Sequence, residues 1–321
     1  MTDQLGRRPP LPGSATQLAH PQCSERRPAL LINARTAVDA HKVLDVARRA
    51  EDERFAAIGI AGFGGGLAYA VSFAHATQRI PFFTCIQPIY MAHPVEVAKQ
   101  ANHIRALAGE RFALGIGVGH SPMLHEVGMI ETPPVAAMRE YVAGLRSAGY
   151  VGPVYLAAVR DRLLQLADEI ADGVLLAHAA RSSLEARIKT LGRDHRDDFV
   201  IGNVIATAIH ADARVARASV RRYLSTVYAK LPNYRAYWRS AGFDDDVNRI
   251  EAALAGGDRD AVARAFGDEL LEDCCLAGTP DDVRGRVDGW FAAGLTIPIL
   301  QLVEGAENPE DHLDEVVRMY R

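Results

Sequence analysis

Phe112-Ala-Leu-Gly-Ile-Gly-Val-Gly-His120 is apolar or glycine from its first residue to its last but one. A run of this length without helical spacing suits a strand buried on both faces, as in a parallel sheet. It ends at His120-Ser121-Pro122, where a proline one or two residues into the next segment marks the start of a helix. Gly115, Gly117 and Gly119 alternate along the run and therefore share one face of the strand.

On either side of this strand, short apolar runs alternate with amphipathic stretches. The runs are Ala29 to Asn33, Ala57 to Gly62, Pro81 to Gln87, Phe112 to Val118, Val154 to Ala158, Gly173 to Ala177, Phe199 to Thr207 and Ile297 to Leu302. Between them lie helical patterns such as Val38 to Ala50 and Pro94 to Leu107, the second with proline in its first turn. Eight βα units predict an α/β fold that closes into a (β/α)8 TIM barrel, with the glycine strand fourth. One connection is too long for a simple crossover: about 212–275 reads as a helical insertion between strands seven and eight, with periodicity in Ala213 to Ala229, Val247 to Ala255 and Asp260 to Leu271. Such an insertion serves either as a lid or as a dimer surface.

A chain of 321 residues fits one such barrel, here 29–321, after a tail over 1–28 that is rich in Pro, Arg, Gln and Ser and is expected to be mobile. No apolar run approaches the roughly 18 residues of a membrane span. With a net charge of −4 and basic residues dispersed among acidic ones, there is no footprint for nucleic acid. A small-molecule substrate is the expected partner, and a homodimer the expected assembly. Cys23, Cys85, Cys274 and Cys275 form no CxxC or Cys/His spacing, which points to reduced thiols and a cytoplasmic setting.

Barrels of this kind carry their chemistry just beyond the strand C-termini. Those positions hold Gly62-Phe-Gly-Gly-Gly66, Cys85-Ile-Gln-Pro-Ile-Tyr90, Gly117-Val-Gly-His-Ser-Pro122, Ala157-Ala-Val-Arg160, His178, and Thr207 with His210. The alternate glycines either clear a shelf for a flat cofactor or relieve crowding at a barrel bend. Their spacing is not GxGxxG, so a dinucleotide fingerprint is absent. His120, at the mouth, is a candidate proton donor or a residue that only positions the cofactor. Ala157, Ala158 and Arg160 before a helix N-terminus suit an anion, unless Arg160 pairs with Asp161 or Asp172. His120, His178 and His210 all follow strands, but the first strand lacks HxH and no carboxylate pair completes a zinc site, so no metal is expected. No lysine falls at a strand end for Schiff-base chemistry.

Several segments in order carry a resemblance: Ala76-Thr-Gln-Arg-Ile80, His93-Pro94, Glu110-Arg-Phe-Ala-Leu-Gly-Ile-Gly-Val-Gly-His-Ser-Pro122, Met138-Arg-Glu-Tyr141, Pro153-Val-Tyr-Leu-Ala-Ala158, Ala167-Asp-Glu-Ile-Ala-Asp-Gly-Val174 and Ala277-Gly-Thr-Pro280. Over most of its length the chain resembles the luciferase-like flavin and deazaflavin oxidoreductases, especially the branch using coenzyme F420. The resemblance implies a barrel that holds a reduced deazaflavin in its mouth and exchanges a hydride with an organic substrate. It implies a non-proline cis peptide at Cys85-Ile86, with Gln87 beside it, and cofactor contacts from Gly117, Val118, Gly119 and Ser121. It places His120 near the transferred hydride and assigns the phosphate side to Ala157, Ala158, Val159 and Arg160. Relatives commonly end strand two in Glu, His or Trp facing the ring, where this chain has Gly62-Phe63-Gly64. The family also uses FMN with oxygen; a flavin monooxygenase and a non-catalytic cofactor-binding barrel are the alternatives. His-Ser-Pro after the glycines favours the deazaflavin.

Overall fold

The computed structural model describes residues 26–33, 39–62, 65–130, 132–191, 198–303 and 316–320. Most of the expected mobile tail, together with Phe63 and Gly64, lies outside the described residues. Ten strands appear in chain order: β1 (Ala29–Asn33), β2 (Ile58–Ala61), β3 (Phe82–Thr84), β4 (Gln87–Pro88), β5 (Phe112–Gly117), β6 (Val154–Ala157), β7 (Gly173–Ala177), β8 (Val200–Ile209), β9 (Cys275–Gly278) and β10 (Ile297–Leu302). The sheet runs β10-β1-β2-β3-β5-β6-β7-β8, and β10 also pairs with β8, so it closes. Every pairing is parallel. The eight-stranded barrel predicted from the apolar runs is the observed fold.

Both faces of the strands are apolar because each meets a separate core. On β1, Ala29 and Leu31 point into the barrel with Phe83, Tyr155, Leu175 and Ile299. Leu30 and Ile32 alternate outward into the larger layer beneath the helices.

Those helices are α1 (Ala40–Asp52), α2 (Gly66–Ala76), α3 (Pro94–Ala108), α4 (Ser121–Glu126), α5 (Pro134–Ser147), α6 (Asp161–Ile170), α7 (Arg181–Ile188), α8 (Ala213–Thr226), α9 (Pro232–Ser240), α10 (Asp244–Ala255), α11 (Arg259–Ala265), α12 (Asp268–Cys274) and α13 (Pro280–Ala292). Two of the quoted sequence segments find local physical causes. In His93-Pro94, the His93 ring caps α3 by accepting from the Val95 N–H at 3.3 Å. In Ala76 to Ile80, the backbone N–H groups of Gln78, Arg79 and Ile80 converge on the Glu51 carboxylate at 2.6–2.9 Å. These hydrogen bonds hold that carboxyl below its ordinary range even though burial opposes them.

The insertion differs from its expected form in three ways. β8 continues past Thr207 to Ile209, and its far end pairs with β9, a strand that the apolar pattern did not reveal. The stretch Asp260 to Leu271 is two helices, α11 and α12, broken at Phe266-Gly267. An unanticipated helix, α9, opens with Pro232 in its first turn.

Candidate functional site

The strand ends form a mouth with a floor and a roof. The floor begins where β3 and β4 pair with β5. Phe82 and Phe83 face Phe112 and Ala113, whereas Gln87 and Pro88 face Ile116 and Gly117. Three residues, Thr84 to Ile86, therefore stand opposite two, Leu114 and Gly115, which is a bulge. The peptide bond Cys85-Ile86 within it is cis. The Thr84 hydroxyl donates to the Gly115 carbonyl at 2.7 Å.

This bulge changes the reading of the alternate glycines. A Cβ on Gly115 would lie 1.9 Å from the Thr84 carbonyl oxygen. One on Gly117 would lie 2.9 Å from the Ala157 Cβ and 3.0 Å from the Ile86 Cδ1. Of the two readings of these glycines, crowding is the one met at Gly115 and Gly117: the space beside Gly115 holds the neighbouring backbone, and that beside Gly117 holds side chains of two other predicted residues. Glycine is needed there for close approach of chain to chain.

The remaining predicted residues fall around this floor. Val118, Gly119 and His120 are half-buried, and Ser121 is exposed at the start of α4. Gln87 is buried, its amide donating to the Pro88 carbonyl at 3.3 Å. The Ala158 N–H donates to the Leu175 carbonyl, and the Val159 carbonyl accepts from the Arg187 guanidinium at 2.9 Å. Arg160 is exposed at the N-cap of α6, with no side-chain cap. It pairs with neither of the carboxylates weighed for it: Asp161 lies 3.5 Å from Arg187, and Asp172 lies 3.2 Å from Arg146.

The roof comes from the insertion, which answers whether it covers the mouth. Tyr223 on α8, Tyr228 in the 3-10 turn Tyr228–Lys230, and Tyr234 and Trp238 on α9 pack ring against ring in sequence, Tyr228 and Tyr234 edge to face and the other two pairs tilted. Their rings reach the two strand-end histidines. His120 lies 5.9 Å from Tyr228 and 6.0 Å from Tyr234, and His178 lies 4.0 Å from Tyr228 between ring centroids. Edge-to-face contacts of this kind add roughly 0.5–1.5 kcal/mol per pair beyond area burial.

His178 is the most constrained residue of the mouth. It is fully buried, and its backbone is left-handed at φ 50. Its N–H donates to the Val204 carbonyl at 2.8 Å, and its carbonyl accepts from the Trp238 indole at 3.3 Å. The next two N–H groups donate to the Asn203 side chain and the Tyr237 hydroxyl. Among the described residues neither ring nitrogen has a hydrogen-bond partner.

Burial sets the electrostatics. It lowers the pKa of His120, and it lowers His178 to about 3 with help from the nearby His120. It pushes the Cys85 thiol and the Tyr228 hydroxyl up to about 12, and raises Tyr223 and Tyr234 as well. Every one of these groups is neutral near pH 7, so the described side chains that meet around His120 and His178 form an aromatic, uncharged wall. Among the described residues, no group of three or more His, Cys, Asp or Glu could hold a metal ion. No helix among them is long and apolar enough to cross a membrane.

The roof tyrosines were not picked out from the sequence. Four of the ten tyrosines and one of the two tryptophans fall within 223–238, an aromatic density that surface helices do not need. That was the available signal.

A family model described as luciferase-like monooxygenase matches residues 26–150 and 145–296. A 5,10-methylenetetrahydromethanopterin reductase of Archaeoglobus fulgidus is 28% identical over 251 residues, covering 68% of this chain and 74% of that one. A Mycobacterium tuberculosis protein provisionally assigned as a coenzyme F420-dependent oxidoreductase is 25% identical over 304 residues, covering 78% and 88%. Among solved structures, the coenzyme F420-dependent tetrahydromethanopterin reductase of Methanopyrus kandleri superposes with a TM-score of 0.72 at 18% identity, covering 93% of this chain and all of that one. With the family model spanning nearly the whole barrel and these relatives sharing its sequence or fold, the chain belongs to the luciferase-like monooxygenase family.

Proposed function

We propose that this protein is an oxidoreductase exchanging a hydride between reduced coenzyme F420 and a small organic substrate with a C=C, C=N or C=O bond. The observation that carries the proposal is the neutral aromatic wall of His120, His178 and the roof tyrosines above the bulge at Thr84 to Ile86. A flat ring system fits such a space, because apolar and aromatic walls bury it without stranding a charge. The sequence relatives support the same cofactor: the Mycobacterium tuberculosis protein bears an F420-dependent assignment.

In this proposal Cys85, Ile86, Gln87, Gly117, Val118, Gly119 and Ser121 line the ring side. Ala157, Ala158, Val159 and Arg160 hold the phosphate side, where the uncapped N–H groups of α6 meet an exposed guanidinium with no ion-pair partner among the described residues. Bound deazaflavin supplies two-electron hydride chemistry, since carbon replaces the oxygen-reactive nitrogen of a flavin. The closed roof excludes water from the reacting bond. His120 supplies a proton from a ring nitrogen to the substrate atom that gains charge. Because burial lowers its pKa, the protonated donor becomes more abundant as pH falls below neutrality. Substrate reduction therefore speeds up in that direction. We assign a homodimer in the cytoplasm as the working state, the latter supported by free thiols at Cys85, Cys274 and Cys275.

Titrating the purified chain with F420 and with FMN, followed by absorbance and fluorescence, tests the cofactor. Binding of F420 with hydride discharge to an enone, imine or ketone is the expected result. Tight FMN binding without F420 binding would shift the assignment to a flavin monooxygenase, in line with the monooxygenase that the family description names. His120→Ala is expected to flatten the pH–rate profile; an unchanged rate and profile would remove His120 from proton transfer.

A further inference from the structure

His178 combines three features that rarely occur together. Four hydrogen bonds fix the backbone of residues 178–180. The residue itself is left-handed, a conformation that a non-glycine side chain seldom adopts unless its surroundings impose it. The imidazole held in this way is fully buried with both nitrogens unpaired. A neutral imidazole carries one donor and one acceptor, and buried polar atoms without partners are uncommon and costly. A histidine with only a packing role would be replaced at no loss by a residue without polar atoms. The Tyr228 ring covers the imidazole at 4.0 Å between centroids, and it belongs to a three-residue turn rather than to a regular helix.

We infer that His178 determines substrate specificity, its ring nitrogen hydrogen-bonding an uncharged carbonyl-type group of the substrate that takes the place of the Tyr228 ring. This rests on the proposed hydride exchange and narrows its substrates from any C=C, C=N or C=O compound to those presenting a ketone, aldehyde, amide or imine. Carboxylates are disfavoured, because no positive group among the mouth residues, His120, His178, Cys85 and the roof tyrosines, repays the desolvation of an anion. A plain alkene is disfavoured, because it leaves the ring nitrogens unpaired.

The test uses the full chain labelled with 15N-histidine and three probes of one ring size: cyclohexanone, cyclohexene and cyclohexanecarboxylate. His178→Asn assigns the His178 ring signals by their loss, and asparagine tolerates the left-handed backbone. Cyclohexanone is expected to shift those signals and to bind about tenfold tighter than cyclohexene, the usual worth of one hydrogen bond. His178→Phe should bind the ketone and the alkene equally, and His178→Asn should keep part of the preference. Tyr228→Ala, which uncovers the ring, should bind cyclohexanone more tightly than the wild-type chain does. Equal binding of ketone and alkene by the wild type, tighter binding of the carboxylate, unmoved His178 signals, or no binding of any probe would each overturn the inference. Titration with F420 in parallel separates the two proposals: loss of cofactor binding with the ketone preference intact removes the hydride reading and leaves His178 in its role.

Discussion

The floor and the roof of the mouth are built on opposite principles. In the floor, neighbouring chain closes on glycine: the Thr84 backbone carbonyl occupies the place of a side chain at Gly115, and the Ile86 and Ala157 side chains close on Gly117. In the roof, ring meets ring, with Tyr223, Tyr228, Tyr234 and Trp238 touching through their edges and faces. A floor closed on glycines at backbone distance fixes position and tolerates no added atom. A roof made of side chains, one of them on a three-residue turn, can be repacked one ring at a time, so variation in substrate is expected to lie there.

The sharpest way to break this contrast is Gly115→Ala. The added methyl would lie 1.9 Å from the Thr84 carbonyl oxygen and 3.0 Å from the Leu175 Cδ1, and because the nearer atom is backbone the β3–β5 pairing must shift. A cost of about 3 kcal/mol or more is expected, measured by denaturant unfolding. A loss below about 0.5 kcal/mol would mean that the floor is as adaptable as the roof.

Next in size is the acid sensitivity of His178. Its pKa is about 3 when folded, against an ordinary value of 6.5. The unfolded chain thus takes up a proton below pH 6.5 that the folded chain refuses. Stability from this group is complete above pH 6.5 and falls as pH drops from there toward 3, by about 1.4 kcal/mol per unit. Near pH 4.5 the wild type should have lost about 2–3 kcal/mol more than His178→Asn. Parallel stability curves for the two proteins would show that the ring is protonated, or paired, in the folded state.

The floor was more legible in the sequence than the roof. Apolar runs and alternate glycines report on residues close together in the chain, and strand period and barrel closure follow from them. The glycines were legible as a crowded or ligand-facing strand, but the choice between these depended on where Thr84 sits, which is set by a one-residue offset between β3 and β5. His120 and the Cys85 segment were found because they follow strands. His178 follows one too, but its importance lies in unpaired nitrogens and a left-handed backbone, which no residue pattern encodes. The roof escaped for a similar reason: the insertion showed helical period, but which of its faces meets the mouth is a long-range property. β9 was missed because Cys275–Gly278 follows α12 without a break, so its apolar residues read as the end of the helical insertion.

Two tyrosines of α9, Tyr234 and Tyr237, refine the contrast at smaller scale. The Tyr237 hydroxyl accepts from the Ala180 N–H at 2.8 Å and lies 2.7 Å from the Ser183 hydroxyl, so it holds the segment that carries His178. Tyr237→Phe leaves that buried N–H unpaired and is expected to cost about 1.5 kcal/mol. Among the described residues the Tyr234 hydroxyl has no hydrogen-bond partner, and its ring meets His120, His178, Tyr228 and Trp238. Tyr234→Phe keeps every one of those faces and should change stability by less than about 0.5 kcal/mol. Measured side by side by denaturant unfolding, the pair separates two jobs within one aromatic cluster. If Tyr234→Phe proves as costly as Tyr237→Phe, the roof is held by hydroxyl bonds like the backbone beneath it, and its rings are not free to repack around a substrate.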